Sequence, residues 1–272
     1  MKKIIALLLV LVMAVSLAAC QGATPSNTTA NPATNPTTEP KPTESKPGET
    51  ETVMTHAEYM AAEDGMAVTV EFYVQATQGW WFDSTAGHGK ITIYGQNTEG
   101  GYFAYEVNCD EETSKKVVPG AKIRVSGEKA TWEGEVEIMN GTLEVIEGDT
   151  WTAEPTDVTA LLGTEDLVKH QNEKVSFKNV TVAASTIEGD ATEYAFLYKW
   201  NGSGADGDDL YFNVTVGDAT YTFCVESYLC GAGSETYEAV KALNIGDVID
   251  LEGFLYWYNG AQPHITAVTK AG

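Results

Sequence analysis

Hydrophobic and polar positions alternate through much of residues 53–272. Across residues 68–74, Val68, Val70, Phe72 and Val74 share one side while Thr69, Glu71 and Tyr73 share the other, which is the two-residue period of a half-buried strand. Residues 175–182, rich in β-branched side chains, predict a second strand of this kind. Leu210, Phe212, Val214 and Val216 alternate with Tyr211, Asn213 and Thr215; Gly217 and Asp218 then supply a tight turn before Tyr221, Phe223 and Val225, so a hairpin is predicted. Residues 90–95 and 102–107 form the matching hairpin in the first half, around an Asn-Gly-rich loop. Helices are predicted to be short. Thr55-His56-Ala57-Glu58 reads as a capping box, Thr164 caps a helix running to His170, and further helices cover residues 110–116 and run from Ser234 through Leu243.

The two halves repeat. Residues 118–127 recur as residues 244–253, both reading as a turn that feeds an alternating strand, and the same spacing carries Trp132-Glu133-Gly134 onto Tyr258-Asn259-Gly260. Each half thus runs strand, hairpin, helix, hairpin, the order of a five-stranded OB-fold whose helix lies between the third and fourth strands. The predicted fold is mainly β: two tandem five-stranded OB-like β-barrels, each with short helices, over residues 53–150 and 151–272, joined at residues 147–156 around Pro155. Another small barrel or sandwich would carry the same strand pattern.

The N-terminus has a different texture. Lys2 and Lys3 precede an apolar run over residues 4–15 and then Ser16-Leu17-Ala18-Ala19-Cys20, the three regions of a secretory signal. The run is shorter than the roughly 20 apolar residues needed to cross a bilayer. Leu17-Ala18-Ala19-Cys20 resembles the bacterial lipobox, which implies cleavage after residues 1–19 and a diacylglyceryl group on the sulfur of Cys20. Residues 21–52 hold six of the nine prolines and no aromatic or large aliphatic residue, so residues 20–52 read as a lipidated cysteine followed by a Thr/Pro-rich tether. At about 3.1 Å per residue for polyproline II, its reach is at most roughly 100 Å. The whole pattern resembles uncharacterised Gram-positive envelope lipoproteins with OB-like domains. That resemblance implies an exported protein on the outer face of the cytoplasmic membrane, or in the outer membrane of a two-membrane bacterium.

Charge narrows the partners. The formal charge is −23, and loss of Lys2 and Lys3 makes it two units more negative. Such a field opposes phosphate-backbone binding, so nucleic acid is placed outside the expected partners; the only candidate basic cluster is Lys90, Lys115, Lys116, Lys122, Arg124 and Lys129. Cys109, Cys224 and Cys230 are too few for a disulfide scaffold, and their pairing stays open.

No hydrolase elbow, phosphate loop, zinc-protease helix or dinucleotide fingerprint appears, and His56, His88, His170 and His264 are scattered, so no catalytic residue is assigned and enzymatic activity is not expected. Asp206, Asp208 and Asp209 form the densest oxygen cluster, in a Gly-rich loop. They are the candidate ligands of a Ca2+ ion, the one cofactor considered, although the EF-hand spacing is absent and a solvated acidic loop is the ordinary reading. Aromatic residues are the more distinctive signal. Trp80-Trp81-Phe82 is predicted to open a long loop after the first strand, Tyr198 and Trp200 flank the matching loop in the second half, and Tyr256, Trp257 and Tyr258 precede the last turn. OB-folds bind with the face of strands 2 and 3 and the loops between strands 1–2 and 4–5, where flat rings stack on sugars or bases.

The expected function is a non-catalytic binding module held on the membrane by its lipid and presenting aromatic loops to a neutral or cationic glycan, wall or protein ligand. Three alternatives stay open: a structural or assembly lipoprotein without a small ligand, a single-stranded nucleic-acid-binding OB-fold, and a hydrolase using paired carboxylates.

Overall fold

The computed structural model describes residues 52–271. The signal peptide, Cys20 and all but the end of the tether lie outside the described residues.

Five strands close the first barrel. Strand β1 (Ala67–Asp83) pairs antiparallel with both β2 (His88–Gln96) and β4 (Lys122–Trp132). Strand β3 (Gly101–Asn108) joins β2 on one side and runs parallel to β5 (Glu135–Ile146) on the other, and β5 returns to β4. The closed order β1-β2-β3-β5-β4 is that of the OB-fold. Alternation drives it: Val68, Val70, Phe72 and Val74 of β1 face Ile91, Ile93, Ile123, Val125 and Ile138 inside, all buried. Helix α1 (His56–Ala61) begins at the capping box, with Thr55 Oγ1 accepting from Glu58 N–H and the Glu58 carboxylate accepting from Thr55 N–H. Helix α2 (Glu111–Ser114) follows β3, capped by Asp110.

The second barrel repeats the order with β6 (Lys174–Ala183), β7 (Leu210–Val216), β8 (Ala219–Val225), β9 (Val248–Phe254) and β10 (His264–Lys270). Strand β6 pairs with β7 and β9, β7 with β8, β8 runs parallel to β10, and β10 returns to β9. Helix α3 (Glu235–Lys241), capped by Ser234, sits between β8 and β9 and buries Tyr237 and Val240 against the core. The chain is therefore mainly β, with two closed five-stranded OB-like barrels. Among the described residues, no helix is long and apolar enough to cross a membrane.

Two local expectations are corrected. Trp80, Trp81 and Phe82 do not open a loop; β1 continues to Asp83 because Trp81, Phe82 and Asp83 pair with Lys90, Gly89 and His88, and Asp83 Oδ1 caps the short turn by accepting from the N–H groups of Thr85 and Ala86. The helix expected from Thr164 to His170 is reduced to a 3-10 turn over Leu167–His170, preceded by a separate 3-10 turn at Thr159–Leu161. Thr164 Oγ1 donates back to the carbonyl of Leu161 instead of accepting from the following turn, so it closes the first segment and does not cap the second.

The barrels are stapled to each other. Tyr94 and Phe103, on the outer face of β2 and β3, form a cluster with Phe254 and Tyr256 of the second barrel; Tyr94 stacks on Phe254 at 4.7 Å and Phe103 meets Tyr256 edge-on at 5.3 Å. Around these rings, the amide nitrogens of Gln171 and Asn172 donate to the carbonyls of Gly134 and Val136 at 2.8 and 3.0 Å, and Gln96 Oε1 accepts from Lys174 N–H at 2.8 Å. Glu135, with no exposed surface, accepts from Trp257 N–H at 2.8 Å.

Candidate ligand-binding cleft

An OB barrel recognises ligands on the outer face of its second and third strands, flanked by the loops between strands 1–2 and 4–5. In the first barrel much of that face, at Tyr94 and Phe103, is spent on the second barrel. What stays open is a cavity of about 640 Å³ bordered by Trp81, Thr92, Tyr105 and Glu106 on one side and by Glu226, Tyr228, Tyr256 and His264 on the other.

The corresponding face of the second barrel is freer. A cavity of about 570 Å³ lies over Tyr211 of β7 and Cys224 of β8, with Trp200 and Asp209 from the loop between strands 1 and 2 and Tyr258 and Gln262 from the loop between strands 4 and 5. Trp132, at the end of β4, leans in from the first barrel and packs on Tyr258 at 5.1 Å. Glu226, Tyr256 and His264 border both cavities, so the two form one cleft.

The shared centre is electrostatically unusual. His264 is buried and stacks on Tyr256 at 4.2 Å; burial holds its imidazole down to about 3, so it is neutral, and its Nδ1 shares a 2.8 Å hydrogen bond with the Tyr94 hydroxyl. Burial, aided by the nearby Asp209 charge, pushes the Glu226 carboxyl up to about 7. Behind the cleft, burial pushes Glu135 up to about 8 and Glu137 up to about 7. The Cys224 thiol is pushed well up by burial, which disfavours a reactive thiolate. Among the residues lining the cleft there is no lysine or arginine.

The cleft gathers four of the aromatic residues singled out by sequence, Trp81, Trp200, Tyr256 and Tyr258. The other four lie elsewhere, Phe82 exposed near the end of β1. Trp80 packs against the first core and donates from Nε1 to the carbonyl of Cys109 at 2.7 Å; Tyr198 packs edge-on against Phe196; Trp257 packs on the second core. Of the proposed Ca2+ ligands, Asp206 pairs with Lys241 at 2.9 Å, Asp208 with Lys199 at 3.5 Å, and Asp209 Oδ1 accepts from Ser227 N–H and Oγ. Among the described residues, no group of three His, Cys, Asp or Glu side chains is placed to hold a metal. Five of the six basic candidates are likewise engaged: Lys90 with Asp83 and Glu106, Lys122 and Arg124 with Glu71, Lys115 with Glu112, and Lys129 with the carbonyls of Met60 and Ala62. Cys109, Cys224 and Cys230 are free thiols.

Sequence reasoning missed Trp132, Tyr211, Tyr228 and Glu226. Two of these had a readable signal. The internal repeat aligns Trp132 with Tyr258, and alternation puts Tyr211 on the face opposite the core residues Leu210 and Phe212. For Glu226 and Tyr228, just beyond β8, the sequence offers none.

No protein-family model matches the sequence, and no curated protein matches it. Solved structures similar to the chain include the p204 HINb domain, with 10% identity, a TM-score of 0.35 and coverage of 77% of this chain and 100% of that one. A murine DNA-binding protein bound with ds DNA has 12% identity and a TM-score of 0.33, covering 75% of this chain and 96% of that one. The single-stranded DNA-binding protein from Thermus aquaticus has 12% identity and a TM-score of 0.25, covering 77% and 95%. At such identities the likeness concerns the fold alone, and the fold assignment rests on this chain's own strand order. One expectation is corrected: nucleic acid was set outside the partners on net charge, whereas the similar structures include a DNA-binding protein bound with ds DNA.

Proposed function

We propose that the chain is a non-catalytic binding protein that grips its ligand in the aromatic cleft between the barrels. The observation that carries this reading is the convergence of Trp132, Trp200, Tyr211 and Tyr258 on the open strand 2–3 face of the second barrel, bordered by both kinds of loop that an OB-fold uses for recognition. Trp200 is 73% exposed and Trp132 52% exposed, far more than indole rings in a core, so their faces are available to a ligand. With Asp209 and Glu226 on the walls and no basic residue lining the cleft, a neutral or cationic ligand is favoured, such as a glycan or a wall or protein segment.

A second reading, single-stranded nucleic acid, is favoured by the same rings on the same strand face, because every base offers a face for stacking. A binding panel of neutral wall oligosaccharides and single-stranded oligonucleotides separates the two by which class binds. Trp200→Ala and Trp132→Ala are each expected to weaken the true ligand by about tenfold, the worth of one stacking ring. Affinity unchanged by both substitutions removes the cleft assignment.

The same proposal places the protein outside the cytoplasmic membrane on a lipid at Cys20. Two or three acyl chains at about 0.8 kcal/mol per buried CH2 anchor it there, and the tether carries the barrels outward. Cys20→Ala protein is expected in the soluble exported fraction, and its retention in membranes would refute the anchor.

A further inference from the structure

We propose that the cavity over β7 and β8 takes a quaternary ammonium group, seated among the rings of Trp132, Trp200, Tyr211 and Tyr258 and opposite the carboxylates of Asp209 and Glu226. The proposal rests on the binding reading above and narrows its ligand to one chemical class.

Three features of the cavity point the same way. The first is charge: two carboxylates border it with no lysine or arginine among the lining residues, and the lysine next to Trp200, Lys199, is paired with Asp208. His264 is held neutral by burial, so it offers no counter-charge. The second is the ring faces, whose negative quadrupoles attract a cation within about 6 Å of the ring centre, more so where water is displaced. The third is the use already made of the carboxylate oxygens. Asp209 Oδ1 accepts from Ser227 N–H and Oγ at 2.9 and 2.7 Å, and Glu226 Oε2 accepts from Leu229 N–H at 2.9 Å. A primary ammonium brings three N–H donors that each need an acceptor. A quaternary ammonium brings none and asks only for ring faces and nearby carboxylates, both of which border the cavity.

The site has a built-in signature. Glu226 is faced by Asp209 from the loop between strands 1 and 2, by Tyr211 and Cys224 on β7 and β8, by Cys230 after β8, by Tyr256 and His264 at the end of the second barrel, and by Tyr94 from the first. Asp209 is the carboxylate among them, and with burial it pushes Glu226 up to about 7. A bound cation stabilises the ionised form and draws the proton off. Binding is therefore expected to release a proton near neutral pH and to strengthen as pH rises through about 7.

The probes are choline and its neutral carbon isostere 3,3-dimethylbutan-1-ol, titrated calorimetrically into the mature chain between pH 5.5 and 8.5 in buffers of different ionisation enthalpy. Choline is expected to bind about tenfold or more tighter than the isostere, from the cation–π contribution. Trp200→Ala, at an exposed position, should lower choline affinity by about tenfold, and Glu226→Gln should remove both the proton release and the rise with pH. Phosphocholine in parallel distinguishes a phosphate-linked head group from a free solute. Choline binding no tighter than its isostere overturns the proposal. If stacking ligands still bind in that case and lose affinity in Trp200→Ala, the cleft assignment stands and only the ammonium is wrong; if nothing binds, both fall.

Discussion

Folding stability should fall by about 3 kcal/mol as pH rises from about 6.5 to about 8.5, and Glu135→Gln should recover about two-thirds of that loss. The cause lies between the barrels, where Glu135 has no exposed surface, accepts from Trp257 N–H and Gln171 Nε2, and leaves Oε1 without a partner. Burial raises its carboxyl to about 8 from an ordinary 4.5, and raises the neighbouring Glu137 to about 7. The folded chain thus holds protons that the unfolded chain has already released. The stability they contribute is fully present below the unfolded value of 4.5 and disappears as pH rises through about 7 and about 8. His264 acts in the opposite sense, since burial lowers it from 6.5 to about 3, so acid below 6.5 favours the unfolded state. Above that value the carboxylates dominate, and at about 1.4 kcal/mol per pH unit Glu135 accounts for roughly 2 kcal/mol and Glu137 together with Glu226, also raised to about 7, for the rest. For a folded region of this size the melting temperature should drop by roughly 6–12 °C over the window. Glu135→Gln keeps an acceptor for Trp257 N–H and cannot ionise, so its melting temperature should fall only about a third as far as that of the parent. A parent profile that is flat between pH 6.5 and 8.5, or a Gln variant that falls as steeply, refutes the account.

The barrels were legible in the sequence because OB architecture is written in period-two alternation and in the recurrence of residues 118–127 as residues 244–253. Inward and outward sets along β1 and β7 follow directly from that period, and Val70 and Phe212 are fully buried as it requires. The cleft was legible only in part, since periodicity says which side of a strand a ring occupies and nothing about what covers that side. Tyr94 and Thr92 share the outer face of β2, yet Tyr94 disappears under Phe254 while Thr92 borders the open cavity. Trp80 and Trp81 illustrate the opposite error. Gln78 and Gly79 interrupt the alternation before them, and the structure answers the interruption with a shift of register between Gln78 and Trp81 that keeps the strand going. Glu135 gave no sign of burial, because a glutamate after a glycine turn ordinarily faces solvent; only the second barrel places Trp257 over it.

Replacing Tyr94 with alanine should have the largest effect of any single substitution at the junction and should split unfolding into two transitions. The ring is 1% exposed, stacks on Phe254 at 4.7 Å and packs against Phe103 at 5.1 Å, so its truncation opens a cavity at the centre of the aromatic cluster joining the barrels. Loss of a buried aromatic ring costs about 3–5 kcal/mol. The hydroxyl adds a second term, because it shares a hydrogen bond with His264 Nδ1 and accepts from Gln78 Nε2; without it the buried imidazole nitrogen is left unpaired, at about 1–3 kcal/mol. Each barrel keeps its own closed sheet and core in this variant. The loss therefore falls on the coupling between them, and calorimetry should resolve two transitions where the parent shows one. Tyr94→Phe separates the contributions: it retains the stacking and loses only the hydroxyl, so it should lower the melting temperature modestly and keep a single transition. If Tyr94→Phe is as damaging as Tyr94→Ala, the barrels are held by the hydrogen bond to His264 and the rings merely fill space around it.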